Sequence, residues 1–348
     1  MKQKNQPLLT IAIPTYNRAE YLRMTLIQLK SELNKIDDLE IEIIVSNNAS
    51  IDCTAEVVVE LMSQGLNIRY LSNEVNLGVD ANIAKCFDSA SGFYVLILGD
   101  DDLFVDGGLV ALMGHLEKKM YSLICMRAYG YNEDFRAEFP GRQGKDIVFD
   151  SQVQFLGSIG QFITLISSMV INKNLIKDMN ANSLCGSYLV QVELIITALI
   201  RSNQYLYINR YLMACKRNNT GGYAFFEVFV KNLAVILDKY KSLGLLPSAS
   251  HALEEKMLLT HFPLYIYRLL KTKDSKSINQ SYMILKDRFS RNLSFKFFIQ
   301  PAFLIPNYAG QILILFMVFW GRIVGGDLIR GIWFLVNVIR RFKILIKK

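Results

Sequence analysis

Three consecutive aspartates, Asp100, Asp101 and Asp102, are the side chains of this sequence best suited to chemistry, and they lie just after the apolar run 93–98. Adjacent carboxylates repel one another, and this repulsion raises their pKa values unless a cation lies among them. Carboxylate oxygens are ligands of hard ions such as Mg²⁺ and Mn²⁺, which in turn bind phosphates. The alternative is a solvated acidic turn that caps the next helix.

Three further polar clusters also follow short apolar runs. They are residues 14–18 (PTYNR), 47–52 (NNASID) and 73–78 (NEVNLG). If the apolar runs are parallel strands of one sheet, all four clusters lie at its carboxyl edge, where such sheets bind ligands. Four clusters at one edge favour a binding site over a simple acidic turn.

The first 127 residues alternate between apolar runs and helical patterns. The runs are typical of buried parallel strands and occupy residues 8–13, 41–46, 68–71, 93–98 and 122–126. The helical patterns occupy residues 18–33, 52–62, 80–90 and 108–118, and Asp52 is placed to cap the second. Repeated strand–helix–strand units predict an α/β fold with a Rossmann-like, mostly parallel sheet and helices on both faces.

The second half of the chain has weaker patterns. Residues 128–150 are polar and predict a loop. A strand near 163–171, a helix at 190–201 and a strand at 205–213 follow, and residues 223–290 are helical in pattern.

Composition excludes several classes of protein. Of 348 residues, 51% are hydrophobic and 20% charged, which excludes a disordered chain. The net charge is +8, and residues 301–348 contain seven Lys or Arg but a single acid, Asp327. The basic excess is thus concentrated in the tail, which argues against a broad nucleic-acid surface. Five cysteines without a CxxC spacing indicate reduced thiols, and we expect no signal peptide at the N-terminus.

Four segments, in order, resemble the motifs of family 2 glycosyltransferases with a GT-A fold. They are residues 10–18 (TIAIPTYNR), 41–52 (IEIIVSNNASID), 73–82 (NEVNLGVDAN) and 91–103 (SGFYVLILGDDDL). The resemblance is strong over residues 8–125 and fades through 215. It is closest to the abequosyltransferase-like branch of O-antigen biosynthesis, which has a similar asparagine-containing second motif.

The resemblance implies a role for each matched position. Pro14, Thr15 and Tyr16 would line the nucleotide pocket, and Arg18 and Asn82 would border the donor. Asp100 and Asp101 would contact the nucleotide-sugar, and Asp102 would bind the divalent cation, Mg²⁺ or Mn²⁺. Gly99 lies where many members have the first aspartate of D-x-D, so the metal site would have fewer carboxylates than usual.

Asn48 lies where many members have an aspartate that reads the base. An amide can donate to N3 of cytosine and accept from its N4 amine, so Asn48 permits a CDP-linked donor. It does not exclude UDP or dTDP. The alternative is that Asn47 and Asn48 only shape an Asx-type turn.

Glu193 is the residue that we expect to act as general base. The resemblance places an inverting family's base near the start of a helix in the second half, and Glu193 lies on the apolar pattern 190–201, where a charge needs a reason. Asp178 is less well placed. The alternative is an ordinary surface glutamate. Lys216 and Arg217 precede the glycine-containing stretch 218–222, which could be a loop that closes over a diphosphate. The alternative is that the pair lies in a solvated turn.

The tail predicts amphipathic helices. The apolar run 312–321 ends at Arg322. A helix that spans a bilayer needs about 20 mostly apolar residues, and a window of that length that starts at residue 312 contains Arg322 and Asp327. Trp320 and Trp333 are the only tryptophans, which suits interfacial anchoring. We expect the tail to lie on an anionic cytoplasmic leaflet; the alternative is a helical pair packed on the protein's own core.

Together these features predict a metal-dependent, inverting glycosyltransferase, peripheral on the cytoplasmic face of the inner membrane. It would transfer a sugar, such as the 3,6-dideoxyhexose abequose, to a polyprenyl-diphosphate-linked oligosaccharide of O-antigen or another surface polysaccharide. We expect a GT-A domain at residues 1–222 (nucleotide half 1–127, acceptor half 128–222), a helical region at 223–300 and the membrane-associating tail at 301–348. The alternatives are a sugar nucleotidyltransferase, which usually has a glycine-rich basic loop after its first strand, and a degenerate GT-A fold that acts as a membrane scaffold or binding protein.

Overall fold

A computed structural model describes residues 6–36, 40–141, 144–217 and 223–324. Its strands are β1 (Leu9–Thr15), β2 (Ile41–Asn47), β3 (Ile68–Ser72), β4 (Tyr94–Ile97), β5 (Leu103–Phe104), β6 (Leu123–Tyr131), β7 (Ile147–Phe149), β8 (Met169–Asn172) and β9 (Tyr205–Lys216). Its helices are α1 (Ala19–Leu33), α2 (Thr54–Ser63), α3 (Val79–Ser89), α4 (Gly108–Leu116), α5 (Gln152–Ile159), α6 (Val190–Ile200), α7 (Leu233–Lys241), α8 (Pro247–Thr260), α9 (Phe262–Thr272), α10 (Ser275–Phe289), α11 (Gln300–Leu304) and α12 (Asn307–Val324).

The chain divides into two compact units. The first comprises Met1–Phe155, Phe162–Gly222 and Ile236–Leu246, and the second comprises Leu156–Gln161, Tyr223–Val235 and Pro247–Lys348. The three-part division that the sequence suggests remains a prediction.

The first unit contains one mixed sheet in the order β3-β2-β1-β4-β8-β6-β9-β5, and β7 pairs with β9. Strands β1 to β4 are mutually parallel, as the apolar runs predict, and β6 is parallel to β9. Strand β8 runs antiparallel between β4 and β6. Consecutive residues of β1 and β6 are buried, so helices cover both faces of the sheet.

The register of the parallel strands aligns the polar clusters. Thr15 pairs with Asn47, and Asn47 pairs with Ser72, so the three strands end together. The backbone N–H of Asn48 donates to the carbonyl of Thr15 at 2.9 Å, and that of Asn73 donates to the carbonyl of Asn47 at 2.9 Å. The clusters therefore lie side by side at one edge.

Asp52 caps α2 as predicted and also caps α1. Its Oδ1 accepts from the backbone N–H of Thr54 at 3.1 Å, while its Oδ2 accepts from that of Ala19 at 2.9 Å. Burial acts to raise the pKa of Asp52, but these bonds and one from the Thr54 hydroxyl together lower it. One carboxylate at two helix N-termini fixes the loops after β1 and β2 relative to each other.

Two sequence predictions are wrong in the second half of this unit. Residues 128–150 are not all loop, because β6 continues to Tyr131 and β7 forms within the segment. The predicted strand 163–171 begins only at Met169, since Gly160–Thr164 and Ile166–Ser168 form 3₁₀ turns. A short apolar run does not distinguish a strand from a buried helical turn.

The second unit is helical, as predicted for residues 223–290. Helix α12 packs against α8 and α9, and α11 packs against α12. The close approach of α11 and α12 requires Gly310, where a Cβ would lie 2.2 Å from the carbonyl oxygen of Ala302. Within the part of the chain that the structure describes, no helix combines the length and the apolar character needed to cross a bilayer. Residues 325–348 of the predicted amphipathic tail, which include Trp333, lie outside the described residues.

Candidate functional site

The acidic residues 100–102 follow β4 and meet the end of β1. The carboxylate of Asp100 is buried and accepts from the Thr15 hydroxyl at 2.7 Å and from Arg18 Nη1 at 2.9 Å. Arg18 Nη2 also contacts Asp101 Oδ2 at 2.9 Å. The structure therefore brings together four of the residues that the sequence singled out, with Arg18 bridging two carboxylates.

Asp102 is held by residues from elsewhere in the chain. Its Oδ2 accepts from the hydroxyl of Ser167 at 2.5 Å, and its Oδ1 accepts from the backbone N–H of Lys216 at 3.2 Å. The Ser167 hydroxyl in turn accepts from the N–H of Gly99 at 2.9 Å. Ser167, which is fully buried, and the end of β9 thus complete the site.

Burial raises the pKa values of two of the three aspartates. It raises the pKa of Asp100 to about 7, although Arg18 and Thr15 oppose the rise. It raises the pKa of Asp102 to about 7, the charge of Asp101 adds to the rise, and the Ser167 hydroxyl opposes it. Such carboxylates are costly to keep ionised, and a cation bound among them would stabilise the ionised form.

Carboxylate oxygens converge above Gly99. A Cβ added to Gly99 would lie 3.1 Å from Asp102 Oδ2 and 3.3 Å from Asp101 Oδ1, so two carboxylates approach the same point. Among the residues that the structure describes, no three His, Cys, Asp or Glu side chains form a metal-binding cluster. Two hard oxygen donors, one of them on the buried Asp102, nevertheless fit an ion such as Mg²⁺ or Mn²⁺, which would complete its shell with waters and phosphate oxygens.

One face of α1 supports the backbone of the acidic loop. Thr25 Oγ1 donates to the carbonyl of Asp100 at 2.9 Å, and Gln28 Nε2 donates to the carbonyl of Phe104 at 3.1 Å. Glu32 is fully buried and accepts from the N–H groups of Gly107 and Leu109 at the start of α4, at 2.9 and 3.1 Å. Sequence reasoning missed these residues, although their i, i+3, i+7 spacing places them on one face of an amphipathic helix, which was a usable signal.

The asparagines of the second motif are occupied within the protein. Asn48 is buried; its Nδ2 donates to Asn76 Oδ1 at 2.8 Å and its Oδ1 accepts from Leu77 N at 2.9 Å. Asn47 Oδ1 accepts from the backbone N–H of Ser50 at 2.9 Å. These bonds support the alternative in which Asn47 and Asn48 shape the turn, because the amide N–H and the amide oxygen of Asn48 already have hydrogen-bond partners within the protein.

Asn82 belongs to the same buried network and lies behind the edge of the sheet. Its Oδ1 accepts from the Ser46 hydroxyl at 2.7 Å and its Nδ2 donates to the carbonyl of Ser46 at 3.0 Å. By contrast, Tyr16 is 42% exposed and Pro14 is half-buried at the end of β1. Asn82 thus supports the edge, and Tyr16 presents an exposed ring there.

Glu193 lies in the buried helix α6 and is itself buried. Its Oε2 forms an ion pair with Lys239 Nζ, and Thr197 Oγ1 donates to its carbonyl at 2.7 Å. The ion pair is a structural reason for a charge on an apolar helix. Asp178 is exposed and paired with Arg201.

The basic pair after β9 is also engaged. Lys216 Nζ donates to the carbonyl of Asn132 and lies 4.9 Å from the centroid of the Tyr131 ring. Arg217 Nη1 contacts Glu138 Oε2 at 3.1 Å. The predicted flexible stretch 218–222 lies outside the described residues.

The family model for glycosyl transferase family 2 matches residues 10–178, which include all four motifs. Residues 10–178 are a family 2 glycosyltransferase domain. Residues 100–102, where the resemblance suggests the acidic motif, lie within this matched segment.

Two curated relatives each match about a third of this chain. Abequosyltransferase RfbV of Salmonella typhimurium is 37% identical over 123 residues, 34% of this chain and 36% of the relative. The GalNAc(5)-diNAcBac-PP-undecaprenol β-1,3-glucosyltransferase of Campylobacter jejuni is 34% identical over 108 residues, 31% of this chain and 34% of the relative. The chain thus matches about a third of the length of these relatives.

Solved structures share the fold over most of the chain. TarS of Staphylococcus aureus (residues 1–349), in complex with UDP-GlcNAc, has a TM-score of 0.56 at 15% identity and covers 88% of each chain. The mannosyltransferase PcManGT of Pyrobaculum calidifontis, with GDP-Man and Mn²⁺, has a TM-score of 0.52 at 15% identity and covers 90% of this chain and 85% of its own. The predicted GT-A fold is confirmed.

Proposed function

We propose that this protein transfers a sugar from a nucleotide-sugar to an acceptor hydroxyl at the edge formed by β1, β2, β3 and β4. The observation that supports this best is the convergence of Asp101 and Asp102 above Gly99, with Arg18 and Thr15 on the neighbouring Asp100. The edge is where α/β sheets bind nucleotides, and the matched family performs glycosyl transfer.

Asp101 and Asp102 would hold a divalent cation, Mg²⁺ or Mn²⁺. When bound, such an ion stabilises negative charge on a leaving diphosphate. The solved mannosyltransferase with Mn²⁺ supports this assignment by fold. Ser167 and the N–H of Lys216 hold the Asp102 carboxylate in one orientation, and Arg18 holds Asp100 and Asp101. These contacts preorganise the carboxylates, so little ordering remains when the donor binds.

The donor would be a nucleotide-sugar whose base lies near the exposed ring of Tyr16. The similarity to an abequosyltransferase supports a 3,6-dideoxyhexose such as abequose as the transferred sugar. The expected preference for CDP has no support from the Asn48 geometry, and the neighbours bind UDP-GlcNAc and GDP-Man. The activity test must therefore include UDP-, GDP-, CDP- and dTDP-sugars as donors.

Glu193 is the proposed general base of an inverting transfer. For this role its carboxylate must first leave the Lys239 ammonium, because a paired carboxylate is a poor proton acceptor. Glu193→Gln would then lower kcat with little change in KM, in addition to the stability lost with the ion pair. If Glu193 serves only the ion pair, Glu193→Gln and Lys239→Met lower the stability alike and leave kcat unchanged.

The acceptor would be a polyprenyl-diphosphate-linked oligosaccharide at the cytoplasmic face of the inner membrane. The undecaprenol-linked substrate in the name of the Campylobacter relative supports this class of acceptor. The transfer would then belong to the synthesis of a surface polysaccharide, of which O-antigen is the first to test.

A non-catalytic scaffold is the second candidate, because Gly99 replaces one carboxylate and Arg18 already neutralises part of the rest. The test is release of nucleoside diphosphate from UDP-, GDP-, CDP- and dTDP-sugars with Mn²⁺. We expect release from at least one donor, its loss in Asp102→Asn, and its persistence in the control Asp178→Asn. Equal activity in Asp102→Asn, or none with any donor, would favour the scaffold.

A further inference from the structure

Helix α12 exposes a face that has no charged residue. Tyr308, Ile312, Phe316 and Trp320 recur at i, i+4 spacing and are 65%, 52%, 59% and 48% exposed. Gly310, Ile314, Met317, Val318 and Gly321 occupy the opposite face and are buried where the helix packs on α8 and α9. A surface helix normally presents polar residues to water, so both faces of α12 have the character of contact surfaces.

The apolar surface continues beyond α12. Leu293, Phe297, Phe298 and Leu304 are 67%, 69%, 46% and 65% exposed, and they lie on or beside the π-helical turn Phe295–Ile299 and α11, both of which pack against α12. We call these eight residues, four from α12 and four from this segment, the apolar surface. Eight large exposed side chains on adjoining elements exceed the scattered apolar residues usual on a soluble protein.

The nearby charges indicate what binds to this apolar surface. Arg322 follows the α12 stripe within one turn of Trp320, and residues 325–348 add six Lys or Arg and one acid. Tyr308 and Trp320 stand at the two ends of the stripe, and these residue types prefer the boundary between hydrocarbon and headgroups. An apolar surface with interfacial aromatics next to a basic segment matches an anionic bilayer surface.

We propose that the apolar surface docks onto the surface of an anionic lipid bilayer. Because the other face of α12 is packed on α8 and α9, only the exposed face enters the lipid, to the depth of the headgroup and acyl boundary. The purpose of this docking, delivery of a lipid-linked acceptor, rests on the proposed function. The docking itself is measured without donor or acceptor, so its failure and the failure of glycosyl transfer are separate results.

Trp320 is a natural reporter for this contact. In Trp333→Phe, Trp320 is the only tryptophan of the 348-residue chain. With phosphatidylcholine vesicles containing phosphatidylglycerol, we expect its emission to shift to the blue and brominated acyl chains to quench it. Vesicles of phosphatidylcholine alone should bind more weakly. Emission that is already blue-shifted without vesicles and does not respond to them means that the protein covers its own surface, which overturns the proposal.

A pair of substitutions tests the surface itself by vesicle co-sedimentation. About half of each side chain remains to be buried, so Ile312→Ser with Phe316→Ser should weaken partitioning by roughly five-fold for each residue and about 25-fold together. The control is Val59→Ser with Met120→Ser, at residues that are 63% and 64% exposed on the first unit. Thermal melting checks that both pairs fold. Equal vesicle binding by both pairs, or a dimer that only the first pair dissociates, overturns the proposal.

Discussion

Replacing Ser167 by alanine is the sharpest perturbation of the acidic site. The Ser167 hydroxyl donates to Asp102 Oδ2 and accepts from the N–H of Gly99, so one oxygen atom links two ends of the motif. Ser167→Ala removes that atom and adds none. All other contacts of the site remain in place, and the cavity left is smaller than a methyl group.

The expected loss follows from the two bonds. A hydrogen bond to a charged group contributes about 1.5–3 kcal/mol, and a buried N–H left without a partner costs about 1–3 kcal/mol. Partial relaxation reduces the sum, so we expect the free energy of unfolding to fall by about 2–4 kcal/mol. The loss of the Ser167 bond also raises the pKa of Asp102 further, which weakens a bound cation. Mn²⁺-dependent donor affinity should therefore fall by about tenfold or more.

Ser168 provides the matched control. It is the next residue, it is also fully buried, and its hydroxyl donates to the carbonyls of Phe162 and Leu165 at 2.7 and 2.9 Å. Ser168→Ala removes the same atom without touching the acidic motif. It should cost about 1 kcal/mol of stability and leave donor affinity unchanged.

The assay is urea unfolding together with calorimetric titration of the donor that the protein accepts, with Mn²⁺ present. The reasoning predicts a large difference between the two variants in donor affinity. Equal donor affinities for Ser167→Ala and Ser168→Ala would refute it, because the Asp102 contact would then have no part in binding.

Three further predictions concern neighbouring features. In a urea titration, Glu32→Gln should lower the free energy of unfolding by about 1.5–3 kcal/mol, because this buried carboxylate accepts from the N–H groups of Gly107 and Leu109 at the start of α4. Lys35→Met removes only a half-exposed partner of Glu32 and should cost less than about 1 kcal/mol in the same titration. Arg18→Lys should weaken donor binding measured by calorimetry, since an ammonium cannot bridge Asp100 and Asp101 as the guanidinium does, and unchanged affinity would contradict the bridging role. Burial and nearby arginines lower the pKa of His261 to about 3, so the unfolded state binds a proton at a higher pH than the folded state does. The free energy of unfolding should therefore fall as the pH drops below about 6.5, by at most about 1.4 kcal/mol per pH unit. Thermal melts of His261→Phe should lack this pH-dependent loss of stability.

The first half of the fold was predictable from the sequence because β1, β2 and β4 are mostly buried and therefore form apolar runs. The edge strand β3 is only partly buried, but all four strands were predicted within one or two residues of their bounds. The later strands were harder. Strand β7 and the end of β6 lie in a polar segment, and the run before β8 coils into 3₁₀ turns, which apolar composition alone does not reveal.

The acidic motif was recognisable because three adjacent aspartates after a buried strand repel one another and need a counter-charge. Ser167 was not, because a serine 65 residues away in an apolar segment has no local signal that it will meet Asp102. Asn48 illustrates a different limit. Its residue type permits base recognition, but only the surrounding bonds to Asn76 and Leu77 reveal that the loop already uses its amide.

The central claim, that residues 99–102 form a cation-assisted nucleotide-sugar site, is tested most directly by calorimetric binding of UDP, GDP, CDP and dTDP, each with Mn²⁺ and with EDTA. We predict that at least one nucleotide binds with Mn²⁺, that EDTA abolishes its binding, and that Asp102→Asn does the same. If a folded sample binds none of the four, or binds one equally well in EDTA, the claim is contradicted.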